Sequence, residues 1–203
     1  MYSIVMRLCV LWCCSVCPAL ATQVLVLGDS LSAAHNLPVA AGWVQLLESQ
    51  LRTVTPLSKV HNASISGETS AGGAERIDTL LLEHQPDIVV LELGANDSLR
   101  GLSISQTREN LRRILRAASG AGAKVLLVGI ELPVNYGRRY RDGLRQMYGE
   151  LATAHADSFV PHLLSALGNG TEHFQSDGLH PTAAAQAAIL QTVWSAWPQS
   201  AER

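Results

Sequence analysis

Short aliphatic runs alternate along this chain with longer stretches of helical periodicity, and that alternation restricts the possible folds more than any other feature. The runs are Val24–Leu27, a second ending at Val60, Asp87–Leu93, Lys124–Ile130 and the weaker Ser158–Val160. Their near-continuous Val, Leu and Ile content suits strands buried on both faces. Between them, Gly42–Leu51 sets Trp43, Leu46, Leu47 and Leu51 on one side. Gly72–His84 does the same with Ile77, Leu80 and Leu81, and Thr107–Ser119 with Leu111, Ile114 and Leu115. Thr69 or Ser70 offers an N-cap for the second of these helices, and Pro86 stops it. Further helices are predicted near Arg141–Ala154 and over the alanine-rich Thr182–Trp197, which Pro198 ends. Each parallel connection needs a crossover, so the pattern predicts a single three-layer α/β domain with about five parallel strands and helices on both faces.

The first residues stand apart from this pattern. Met1–Arg7 carries one positive charge, Leu8–Leu20 is almost wholly apolar, and Ala19-Leu20-Ala21 has the small-x-small form of a cleavage site. The apolar stretch falls short of the roughly 20 residues that span a bilayer. Residues 1–21 therefore read as a signal peptide and 22–203 as the folded domain, exported and without a stable membrane anchor. Cys9, Cys13, Cys14 and Cys17 all fall inside the leader, which leaves the remainder without a thiol. Val16 precedes Cys17 where a lipidation site wants a small residue. The formal net charge of −2 gives no electrostatic case for nucleic acid.

Three predicted strands lead into small polar residues: Gly28-Asp29-Ser30, the loop Asn62–Thr69 with Gly67, and Gly94-Ala95-Asn96-Asp97. In a parallel sheet all three exits lie on one edge, where ligands collect. Alone, Ser30 reads as readily as a helix cap. Asp177-Gly178-Leu179-His180 changes the balance. A carboxylate three residues before a histidine can reach its Nδ1 and leave Nε2 to face Ser30. That set meets the needs of acyl transfer: a nucleophile, a base near neutrality, an acid that fixes the base's tautomer, and donors for the oxyanion. Candidate donors are the backbone N–H groups of Ser30 and Gly67 and the side-chain amide of Asn96.

Gly28-Asp29-Ser30, Gly67, Gly94-x-Asn96 and Asp177-x-x-His180 resemble, in order, the four blocks of the SGNH/GDSL hydrolase family. Asn62–Gly67, Leu99–Gly101 and Leu132–Tyr140 further resemble its periplasmic acyl-CoA thioesterase I/arylesterase/lysophospholipase branch. The resemblance implies a flavodoxin-like sheet of order 2-1-3-4-5, Ser30 as nucleophile with Asp177 and His180, and an oxyanion hole of Ser30, Gly67 and Asn96. It implies aryl and short-to-medium acyl esters, acyl thioesters and lysophospholipids as substrates, with no cofactor or metal. A periplasmic location and a monomer are the corresponding expectations, with secretion as the alternative. Ala95 and Ser98 stand where the branch carries glycine, beside a segment resembling its substrate-responsive loop. A Cβ at either stiffens that loop if the backbone needs positive φ. Glu68 replaces the branch's usual aspartate.

Leu99, Leu102, Leu132, Pro133 and Tyr136 are candidate acyl contacts, though loop packing explains them almost as well. Arg138, Arg139 and Arg141 can meet a phosphate or simply form a solvated helix start. His35, His61, His84, His155, His162 and His173 show no metal-ligand spacing and read as surface or hydrogen-bonded structure. Asp29 reads as a buried organiser, and Asp97 either supports the Asn96 loop or is solvated. Two other functions compete with the acyl-ester reading. A carbohydrate or cell-wall O-deacetylase uses the same blocks in a wide polar cleft. A non-catalytic flavodoxin-like binding protein is weakened by the absence of any glycine-rich phosphate motif after a strand.

Overall fold

The computed structural model describes residues 21–168 and 170–198, so nearly all of the expected leader lies outside the described residues. Five parallel strands form one sheet: β1 (Gln23–Gly28), β2 (Lys59–Asn62), β3 (Ile88–Glu92), β4 (Lys124–Val128) and β5 (Ser158–Val160), in the order β2-β1-β3-β4-β5. The helices are α1 (Trp43–Val54), α2 (Ser70–His84), the short α3 (Ala95–Leu99), α4 (Ile104–Gly120), α5 (Arg138–His155) and α6 (Gln186–Ser195).

Strand period 2 divides the core in two. Leu25, Leu27, Val89 and Leu91 face α2, α4 and α5, whereas Val24, Val26, Ile88 and Val90 face α1 and α6. Trp43 is wholly buried on the second side, its indole N–H donating to the carbonyl of Leu31 at 3.1 Å. Register is in step across the sheet, Leu25 lying opposite Val89 and Val89 opposite Val125. All strand exits therefore share one edge.

Several expected boundaries move. β2 runs two residues past Val60, and α4 and α5 each begin three residues earlier than their apolar stripes. The C-terminal helix opens as a 3-10 turn at Ala183–Ala185, and its α-helical part is Gln186–Ser195. The Gly94–Asp97 exit is not an open loop. Gly94 turns the chain with φ +122°, and Ala95 immediately starts α3. Thr69 is the cap of α2, its Oγ1 accepting from the N–H of Gly72 at 3.4 Å.

Candidate active site

Ser30 lies two residues beyond β1, in a turn where Asp29 Oδ1 accepts the N–H of Leu31 at 3.0 Å. Its hydroxyl is 2.9 Å from Nε2 of His180, and Nδ1 of that ring donates to Asp177 Oδ2 at 2.7 Å. The two ends of the chain are joined here by a local device. Asp177 Oδ1 accepts the backbone N–H groups of Leu179 and His180 at 2.9 and 3.0 Å. Those two bonds, with the ring N–H, hold the Asp177 carboxyl well below the usual carboxylate range. The segment itself is pinned by an antiparallel bridge between Phe174 and Pro181.

The oxyanion candidates stand beside this line. Among the described residues, the N–H groups of Ser30 and Gly67 have no protein acceptor. Gly67 adopts φ +83°, a conformation disfavoured for any residue with a Cβ, and its carbonyl accepts from Arg100 at 2.8 Å. The amide of Asn96 donates from Nδ2 to Asp29 Oδ2 and to the carbonyl of Glu68, both at 3.0 Å. Glu68, in place of aspartate, reaches Arg76 in an ion pair. Ala95 and Ser98 lie within α3, and neither has positive φ, so the condition for a stiffened loop is not met.

Beneath these groups lie two buried polar clusters. Glu92 is completely shielded, and its Oε2 accepts from Ser32 Oγ at 2.7 Å and from the Asp29 N–H at 3.3 Å. Burial pushes the Asp29 carboxyl up to about 6, and burial followed by the charge of Asp29 pushes Glu92 well above its ordinary range. Asp97 supports the Asn96 segment: its carboxylate accepts from the backbone N–H and hydroxyl of Ser70, at 2.8 and 2.5 Å, and from Thr107 at 3.2 Å.

Ser30, Asn96 and His180 open onto a cleft of about 640 Å³ that runs along the strand exits. Leu99, Leu132 and Pro133 line it; Leu102 and Tyr136 do not. Nothing local in the sequence singles out the other apolar walls: Leu31, Ile130 and Leu163, which follow β1, β4 and β5, and Phe174 from the segment before Asp177. Arg141 also reaches the cleft, but as a brace, donating to the carbonyl of Leu132 and to Glu131 at 2.9 and 2.8 Å. Arg138 pairs with Asp142, and Arg139 is exposed. His35 is the other surprise. Its ring packs against that of His180, centroids 4.1 Å apart. With Asp177 the two histidines form the one set of metal-capable donors found among the described residues.

With this geometry in view, the likeness to known proteins is informative. The GDSL-like lipase/acylhydrolase family matches residues 26–188. Esterase TesA of Pseudomonas aeruginosa is 46% identical over 176 residues, 87% of this chain and 88% of that protein. Thioesterase 1/protease 1/lysophospholipase L1 of Escherichia coli strain K12 is 42% identical over 171 residues, 84% of this chain and 81% of that one. A crystal structure of TesA superposes with a TM-score of 0.82 at 46% identity, covering 85% of this chain and 96% of the other.

Proposed function

This chain belongs to the GDSL-like lipase/acylhydrolase family and is a serine esterase/thioesterase, and from that premise we propose that Ser30, His180 and Asp177 carry its chemistry. Ser30 Oγ attacks the acyl carbonyl while Nε2 of His180 accepts the hydroxyl proton. Asp177, kept ionised by its backbone donors, stabilises the resulting imidazolium and holds the tautomer. The oxyanion is received by the N–H groups of Ser30 and Gly67, joined by Asn96 as its amide leaves the Glu68 carbonyl. Collapse of the tetrahedral intermediate breaks the C–O or C–S bond, and His180 returns the proton to the departing alcohol or thiol. Water then repeats the sequence on the acyl-enzyme.

The observation that carries this reading is the hydrogen-bonded line Ser30–His180–Asp177 at the mouth of an apolar cleft. The substrates proposed are aryl and short-to-medium acyl esters, acyl thioesters and lysophospholipids. Walls such as Leu31, Leu132 and Phe174 suit an acyl chain better than a sugar, which favours this reading over the O-deacetylase. Residues 1–21 are proposed as an export signal and 22–203 as a monomeric periplasmic enzyme. No helix among the described residues is long and apolar enough to cross a membrane. The test is Ser30→Ala. It is expected to abolish turnover of p-nitrophenyl butyrate, and the initial burst of p-nitrophenol, with an unchanged circular dichroism spectrum. Retained turnover in a folded variant overturns the assignment.

A further inference from the structure

Acyl transfer has no need of a second histidine against the first, yet the turn after β1 holds one there. The His35 and His180 rings lie with centroids 4.1 Å apart, tilted by 35° to one another. The turn is shaped to present His35. Ala34 and Asn36 on either side adopt φ 55° and 56°, a region unfavourable for residues with a Cβ. The carbonyl of His35 accepts from Gln175 Nε2 at 3.0 Å, and the same amide donates to the carbonyl of Pro181. Gln175 thus ties the His35 turn to the segment that carries Asp177 and His180.

We propose that His35, Asp177 and His180 form a reversible binding site for a divalent transition metal of the Zn²⁺ type, and that its occupancy switches hydrolysis off. Each side chain offers one donor atom, and the three lie within 4.8 Å of one another. Zinc takes imidazole nitrogen and carboxylate oxygen at about 2.0–2.2 Å, which sets donors about 3.4 Å apart in a tetrahedral site. The required contraction is at most about 1.4 Å by that geometry. None of the three is fully buried, so the side chains can swing onto an ion arriving from solvent. Two imidazoles and one carboxylate suit a borderline transition metal rather than magnesium or calcium, and water completes the fourth position.

Binding removes the base by simple proton accounting. In the free enzyme Nδ1 of His180 bears the proton donated to Asp177, and Nε2 offers its lone pair to Ser30. A metal on Nδ1 displaces that proton, which passes through water to Nε2. The ring then holds the same number of protons but has no lone pair for the serine hydroxyl. A metal on Nε2 consumes the lone pair directly.

The switching-off rests on His180 being the base, whereas metal binding does not, and the test separates the two. EDTA-treated enzyme is titrated with ZnCl₂, read by calorimetry and by p-nitrophenyl butyrate turnover, and with Co²⁺, read by its visible absorption. One Zn²⁺ per chain is expected, with inhibition tracking occupancy and reversed by EDTA. His35→Phe keeps a ring against His180 but removes the donor, and should weaken binding at least about tenfold. Ser30→Ala, which has no turnover to lose, should bind as the wild type does. Absent saturable binding, or equal binding by His35→Phe, overturns the site. These titrations decide even if His35→Phe is inactive without metal. Full activity at saturating Zn²⁺ overturns the switch and counts against His180 as base, leaving the site standing.

Discussion

Glu92 offers the sharpest test of how this site is supported. It is a carboxyl in the middle strand of the sheet, completely shielded from solvent, with Ser32 Oγ and the Asp29 N–H as donors to Oε2. Its pKa is raised well above the ordinary value by burial and then by Asp29, so it stays protonated in the native state at pH values where the unfolded chain has released that proton. The native state therefore binds one more proton than the unfolded state. The Glu92 contribution to stability is complete below the pKa of the unfolded side chain, about 4.3, and is lost progressively as pH rises toward the point where Glu92 itself ionises. Glu92→Gln has the same shape, keeps an oxygen for both donors, and removes the Glu92 share of the slope. Urea unfolding at pH 5, 6 and 7 should show the variant gaining on the wild type as pH rises. Glu92→Leu should instead lose roughly 2–6 kcal/mol at pH 5, because two buried donors lose their acceptor at about 1–3 kcal/mol each. A pH-independent difference between wild type and Glu92→Gln would refute the neutral carboxyl.

Two further outcomes test the floor and the rim of the cleft. Asn96→Ala should lower kcat by roughly 10²–10³ with little change in KM, as for a donor engaged only in the transition state, and a pure KM effect removes Asn96 from that role. Gly94→Ala places a Cβ 2.3 Å from the Tyr148 hydroxyl at φ +122°, which should cost about 2–5 kcal/mol from overpacking and backbone strain. Tyr148→Phe in the same chain should recover part of that loss, since the next ring atom is 3.4 Å away; an additive double mutant argues against the clash.

The centre of the sheet was legible because β1, β3 and β4 are runs of aliphatic residues whose burial on both faces depends only on the residues themselves. Val24–Leu27 and Ile88–Glu92 needed no partner to be recognised. Helix starts were less so: Ile104–Arg108 and Arg138–Tyr140 carry no apolar stripe, and their helices begin earlier because backbone hydrogen bonding propagates past the buried face. Glu92 did leave a signal, a charge inside an otherwise apolar strand, but its meaning depends on Asp29 and Ser32, sixty residues earlier. The cleft was legible only in part. Leu99 and Leu132 were found by their closeness to motifs, whereas Leu31 and Phe174 meet only through the fold.

By itself the sequence determined the strand–helix alternation, the three polar strand exits and the local bond from Asp177 to His180, since a three-residue separation brings those groups within reach. Only the tertiary structure decided that His180 meets Ser30 across 150 positions, that Asp97 is a buried anchor, and that His35 lies on the catalytic ring. Periodicity and turn chemistry are local, readable in a window of a few residues. Burial, the pKa of a shielded carboxyl and the joining of donors from distant segments are set by which surfaces the packed sheet and helices bring together.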